Sequence, residues 1–101
     1  MTQTVAVMGF DQNLQRTLEG LLAREPDLTL ADPSATQIDT IILFPPSVEW
    51  VHELRERYPR ARFLAVVDWQ RRHQFVDAPI HGYVDTLLSY HGLLEVVRES
   101  L

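Results

Sequence analysis

Cysteine and lysine are both missing from this chain of 101 residues. Without cysteine there is no disulfide, no thiolate nucleophile and no thiolate ligand for a metal. Without lysine, all nine basic residues are arginines. These absences exclude a Schiff-base lysine, the lysine of a phosphate-binding P-loop, and any other mechanism that needs an ammonium group from this chain.

Long apolar runs are also missing, although 46% of the residues are hydrophobic. No run approaches the roughly 20 residues that a helix needs to cross a bilayer, and we see no basic-then-apolar leader. The formal net charge of −5 disfavours direct nucleic-acid binding, which needs a basic surface. We therefore expect one soluble, cytoplasmic domain over residues 1–101, with no membrane contact.

The most informative stretch is the apolar run 41–44, which follows Thr40 and stops at Pro45 and Pro46. A run this short and this apolar predicts a strand that is buried on both faces, as in a parallel sheet covered by helices. In such sheets the chemistry lies just beyond the carboxyl ends of the strands. That position is occupied here by Phe44.

The rest of the chain alternates predicted strands with amphipathic patterns. Strands are predicted at 5–10, 28–31, 63–67 and 82–86, and helices are predicted after the caps Asp11, Ser47 and Ser89. Only about five residues separate the turn at Ser34 from Asp39, too few for a crossover helix. We predict a flavodoxin-like, doubly wound α/β fold with five parallel strands in the order 2-1-3-4-5, and a reduced or absent helix between strands 2 and 3.

Four arginines gather where the second predicted helix ends, at Arg55, Arg57, Arg60 and Arg62. One interpretation is a solvated face whose cations complement the helix dipole. The other is a patch that binds a partner.

Five stretches of the chain, each at its expected place, resemble a response-regulator receiver domain: 21–28, 39–46, 54–67, 81–86 and 93–98. The resemblance covers nearly the whole chain. It implies a domain of bacterial two-component signal transduction or transcription regulation, a family in which a DNA-binding effector domain often follows in cis.

Receivers of this family accept a phosphoryl group from a histidine kinase onto an aspartate, with Mg²⁺ bound nearby. When the family's functional positions are aligned with this chain, the acidic pair corresponds to Gly9 and Phe10, and the phosphoacceptor corresponds to Phe44. The hydroxyl residue falls at Val67 and the lysine at Thr86. The resemblance thus implies an atypical, degenerate receiver that has lost the residues of phosphoryl transfer, and a phenyl ring cannot accept a phosphoryl group.

The first functional hypothesis is a signalling domain that acts through protein contacts, as a homodimer or by docking a partner. In the family, the face around the fourth helix, the fifth strand and the last helix carries such contacts. Phe75, Tyr83 and Tyr90 are expected on or near this face, and Tyr83 matches the family's aromatic switch position. The alternative is that these rings serve packing within the domain.

The second hypothesis is a pseudo-receiver that senses a small apolar or aromatic ligand in the vacated cleft. Phe10, Phe44 and Trp69 are predicted at the carboxyl ends of strands, beside Asp11 and Asp68. Rings with a few polar groups suit such a ligand. The alternative is that the rings simply fill the space, because voids are costly.

An enzyme is the third hypothesis, and the sequence disfavours it. The four histidines, at 52, 73, 81 and 91, form no metal-binding pair with helical spacing, and no nucleophile-elbow sequence is present. We expect no catalytic residue, no metal and no cofactor.

Overall fold

The computed structural model describes residues 3–31, 35, 37–85 and 90–99, without the side chains of Trp69 and Glu99. The elements are the strands β1 (Gln3–Met8), β2 (Leu28–Leu30), β3 (Thr40–Leu43), β4 (Arg62–Val67) and β5 (Gly82–Asp85), and the helices α1 (Gln12–Leu22), α2 (Val48–Arg57) and α3 (Tyr90–Glu99). A 3₁₀ helix, Trp69–Phe75, lies between β4 and β5. All strand pairs are parallel, in the order β2-β1-β3-β4-β5. The predicted fold class and strand order are confirmed.

The central strand is β3, and all four of its residues are buried. Ile41 and Leu43 pack on the side of α2 and the 3₁₀ helix, whereas Ile42 packs on the side of α1 and α3. This alternation follows from the period of two along a strand. Burial on both sides explains why the sequence of β3 is a continuous apolar run and not an alternating one.

Two predicted helix caps are confirmed in detail. The carboxylate of Asp11 accepts the backbone N–H of Leu14, and the hydroxyl of Ser47 accepts the backbone N–H of Trp50. Each side chain thereby satisfies an N–H that the first turn of a helix leaves without a partner. The third predicted cap, Ser89, lies outside the described residues.

The connection from β2 to β3 spans residues 31–39, and its described residues form neither a helix nor a strand. The predicted reduction of the crossover helix is therefore confirmed. Within the described ranges, no helix is long and apolar enough to cross a membrane.

Candidate functional site

The carboxyl ends of β1 and β3 meet in a tight backbone contact. Gly9 follows β1 with a φ of 87°, a conformation that glycine adopts without steric cost. A Cβ atom at Gly9 would lie 2.4 Å from the carbonyl oxygen of Phe44. The backbone N–H of Phe44 in turn donates to the carbonyl of Met8 at 2.9 Å. Glycine is therefore required where the chain leaves β1.

Just beyond this contact lie two aromatic rings, which the sequence predicted at the carboxyl ends of β1 and β3. The ring centroids of Phe10 and Phe44 are 5.6 Å apart, and the ring planes are tilted by 39°. Both residues are half-buried. Because tilted rings at this distance attract each other and exclude water, the segments that follow β1 and β3 meet in an apolar contact.

The two nearby carboxylates that the sequence singled out cap helices. Asp11 accepts the N–H of Leu14 at 3.0 Å, and Asp68 accepts the N–H of Gln70 at 3.1 Å, at the start of the 3₁₀ helix. Both residues are exposed. Among the residues that the structure describes, no three acidic or histidine side chains are grouped so that they could hold a metal ion.

The remaining predicted site residues have different outcomes. Val67 is buried, with 3% of its surface exposed, so its side chain belongs to the core. Thr86 lies outside the described residues, as does the side chain of Trp69. The predicted ring-lined cleft therefore rests on Phe10 and Phe44, and ligand binding there stays a prediction.

Phe10 also borders an open groove of about 360 Å³ that runs along α1. The other lining residues are all polar: Gln12, Gln15, Arg16 and Glu19. Among these lining residues, only the ring of Phe10 offers an apolar ligand an aromatic surface to contact. The groove thus differs from the aromatic-lined cleft that the sequence predicted.

The three predicted interface residues do not form one surface. Phe75 is 1% exposed, so its assignment to an interface is corrected: its ring packs in the core on the α2 side of the sheet. Tyr83 packs on that same side and Tyr90 on the other. The sequence shows that aromatic residues stand at these three positions, but it does not indicate the side of the sheet on which each ring lies.

Tyr83 is held by two contacts that the sequence did not reveal. Its hydroxyl donates to the carbonyl of Phe75 at 2.8 Å. The guanidinium of Arg72 lies 5.1 Å from the centroid of the Tyr83 ring, within the range of a cation–π contact. These contacts hold the half-buried ring in one orientation. Tyr83 itself belongs to β5, the strand at one edge of the sheet.

Tyr90 joins a polar cluster on the opposite side. Its hydroxyl donates to Glu25 at 3.3 Å, and Arg98 donates to both Glu25 and Asp27. Burial, and then the negative charge of Glu25, raise the pKa of Tyr90. The hydrogen bond from Arg98 is the main cause of the lowered pKa of Asp27. The cluster attaches α3 to the connection between α1 and β2.

Comparison with known proteins supports the fold. No family model and no curated protein sequence matches this chain. Among solved structures, the chain resembles the crystal structure of adenylate cyclase from Rhodopirellula baltica, with a TM-score of 0.78 over 98% of this chain and 87% of that one. The two sequences are 12% identical. The likeness therefore concerns the α/β fold alone, and the activity in that name belongs to that protein.

Proposed function

We propose that this chain is a degenerate receiver that signals through protein contacts and without phosphorylation, in bacterial two-component or transcription regulation. The observation that carries the proposal is Phe44, which directly follows the central strand and packs against the ring of Phe10. The receiver resemblance assigns this position to the phosphoacceptor. Phosphoryl transfer to a receiver needs an acceptor oxygen, and cations that stabilise the charge of the transferred group. Phe44 offers no such oxygen, and the chain contains no lysine.

The contact surface that we propose lies along β5 and the 3₁₀ helix. Val76, which directly follows this helix, is 71% exposed. The half-buried ring of Tyr83 packs on the side of the sheet that carries the same helix. A tyrosine that is already held in one orientation loses little side-chain entropy when a partner covers it. We propose that a second copy of the chain, or another signalling protein, packs on this surface.

Substitution of Tyr83 tests the contact surface. We expect Tyr83→Ala to weaken self-association about tenfold or more, as aromatic anchors at interfaces do, in sedimentation velocity over a concentration series. Tyr90→Ala is the matched control, because Tyr90 packs on the other side of the sheet. If Tyr83→Ala leaves the dimerisation constant unchanged, the ring serves packing alone.

The alternative function, sensing of an apolar or aromatic ligand, is supported by the partial exposure of the Phe10 and Phe44 rings. Its test is an NMR titration with indole. Saturable shifts confined to Phe10 and Phe44 would favour ligand sensing. Shifts that are spread over the surface, or absent, would favour a contact in which the rings only fill the vacated site.

A further inference from the structure

The strand β1 is longer than β2, the strand that lies beside it at one edge of the sheet. β1 has six residues and β2 has three. The two strands pair from their amino-terminal ends, and the last pair is Val5 with Leu30. On the side of β2, the remaining part of β1 therefore has no strand paired with it among the residues that the structure describes.

The backbone of Val7 faces this unpaired side. The N–H of Gln3 donates to the carbonyl of Asp27 at 3.1 Å, which precedes β2. The N–H of Ala31, just after β2, donates to the carbonyl of Val5 at 2.9 Å. Since alternate residues of a strand direct their N–H and C=O groups to the same neighbour, Val7 is the next residue in this series. Within the described ranges, neither group of Val7 has a hydrogen-bond partner on this side.

The sequence explains why the pairing with β2 does not extend to Val7. In the same register, the N–H for the Val7 carbonyl would come from residue 33, which is a proline. Proline has no N–H and cannot donate this bond. Val7 is only 4% exposed, and buried backbone groups without a partner cost free energy. The Val7 backbone thus offers one donor and one acceptor to an incoming chain.

An open groove of about 220 Å³ lies at this point of the sheet edge. It is lined by Val7 and by Leu30 and Ala31 at the end of β2. Both helix layers contribute as well, with Glu19 from α1 and Arg57 from α2. Because α1 and α2 pack on opposite sides of the sheet, the groove has an acidic side chain on one side of the sheet and a basic one on the other.

Neither charge is used within the described part of the chain. Glu19 is half-buried, Arg57 is exposed, and no ion pair involves either of them among the described residues. The guanidinium of Arg57 lies 5.8 Å from the centroid of the Tyr58 ring, a contact that leaves its N–H donors available. The groove therefore favours a pair of opposite charges and not a ligand of one sign.

We infer that this groove, which we call the β1 groove, binds an extended segment of a partner protein that adds to β1 as a short strand. In strand addition, main-chain hydrogen bonds supply affinity and alternate side chains supply specificity. Neighbouring side chains of a strand point to opposite faces of the sheet. One side chain of the segment therefore meets Glu19 and the next meets Arg57, so the segment carries a basic residue beside an acidic one.

A drug-sized ligand is disfavoured in the β1 groove, because pockets for such ligands have volumes of about 300–1,000 Å³, more than this groove offers. The β1 groove lies beside β2, whereas the contact surface proposed above lies along β5, at the other edge of the sheet. The inference thus goes beyond the proposed function and does not depend on it.

The test is an NMR titration with a capped tetrapeptide, threonine-lysine-glutamate-threonine, followed by amide hydrogen exchange. The peptide has no net charge, so the charge of −5 on the protein does not by itself attract it. We expect saturable shifts of the Val7 amide signal. With the peptide at about ten times its dissociation constant, exchange of the Val7 amide should slow about tenfold, because only the free protein exchanges.

Substitutions of the two charges test the sequence preference. Glu19→Gln and Arg57→Gln should each weaken binding about two- to fivefold, the range of an exposed ion pair. The matched controls, Glu53→Gln and Arg24→Gln, make the same changes in net charge at exposed positions that do not line the β1 groove. Both controls should bind the peptide as the wild type does.

A peptide that is N-methylated at every residue tests the main-chain pairing, because it keeps both charges but has no N–H to donate to the Val7 carbonyl. It should not bind. Equal binding of this peptide, or no saturable binding of the original peptide by the wild type, would overturn the inference. Slower exchange in β5 with no change at Val7 would place the peptide at the other edge and overturn it as well, as would equal weakening by the control variants.

Discussion

The carbonyl oxygen of Phe44 lies where a side chain at Gly9 would have to go, 2.4 Å from the position of its Cβ. The turn after β1 and the end of β3 are therefore fitted to each other at the backbone, before any side chain is considered. Directly beyond this contact, the Phe10 and Phe44 rings lie 5.6 Å apart and form an apolar pair.

Gly9→Ala should destabilise the fold by about 2–4 kcal/mol, because it combines a positive φ with a clash against backbone. The control is Gly20→Ala. Gly20 lies within α1, and apart from the backbone of that helix a methyl group there would meet no atom of the described residues within 4 Å. Alanine at this position should therefore stabilise the helix by about 0.5–1 kcal/mol. Urea unfolding measures the change in the free energy of unfolding for both variants. A Gly9→Ala variant as stable as the wild type would contradict the close contact between Gly9 and the Phe44 carbonyl.

Phe44→Asp should not restore phosphorylation. It places a carboxylate against the Phe10 ring without supplying the missing cations, and it should cost about 1–3 kcal/mol, since Phe44 is only half-buried. Phe44→Leu is the control for the loss of the ring alone. Urea unfolding measures the stability of each variant. Intact-mass spectrometry after incubation with acetyl phosphate and Mg²⁺ shows whether the aspartate has been phosphorylated. A phosphoryl adduct on the aspartate would show that the other groups suffice.

Gln3 and Thr40 form a buried polar pair in which the Thr40 hydroxyl donates to the side-chain oxygen of Gln3. The Nε2 of Gln3 is buried and has no hydrogen-bond partner among the described residues. Thr40→Val should cost about 1–2 kcal/mol, because it leaves the whole Gln3 amide unsatisfied. The double variant Gln3→Met/Thr40→Val should be more stable than Thr40→Val alone, as measured by urea unfolding. Strict additivity in the double-mutant cycle would argue against the pair.

His81 should make stability depend on pH. Its Nδ1 accepts the backbone N–H of Phe63 at 3.0 Å, at the start of the pairing between β4 and β5. A protonated ring cannot accept this bond, and the pKa of His81 is lowered in the fold. The unfolded chain therefore binds this proton more readily, so the contribution to stability is complete above about pH 6.5 and is lost as the pH falls through the lowered pKa.

The measurement is urea unfolding of the wild type and His81→Gln at about pH 8 and about pH 5, on either side of the ordinary histidine pKa. The wild type should lose more free energy of unfolding than the variant does over this interval. The two proteins differ only at position 81, so contributions from the rest of the chain cancel in the comparison. Equal losses would mean that the Nδ1 bond contributes nothing.

Much of the fold was predictable because its signals are local. The run that ends at Phe44 predicted the central strand, and Asp11 and Ser47 predicted helix starts that the structure confirms. Leu14 shows the limit of such patterns. It matches the apolar period of α1, yet it is 44% exposed. A helical period indicates the direction of a side chain, but not whether another element packs against that turn.

The site was less predictable, because it depends on which elements meet. Residue types at Phe10 and Phe44 were enough to disfavour phosphoryl transfer, but the requirement for glycine at Gly9 arises from the Phe44 backbone, 35 residues further along the chain. Phe75 lies in a 3₁₀ segment with no clear period, so its burial carried no sequence signal. Contacts between distant segments have no counterpart in local periodicity.

The most direct test of signalling without phosphorylation is sedimentation velocity over a concentration series, with and without Mg²⁺ and beryllofluoride, which mimics a phosphoryl group on an aspartate. We predict a reversible dimer whose dissociation constant is the same in all four conditions, because Phe44 offers nothing for beryllofluoride to bind. A dissociation constant that changes when Mg²⁺ and beryllofluoride are added together, or a protein that stays monomeric at every concentration, would contradict this prediction.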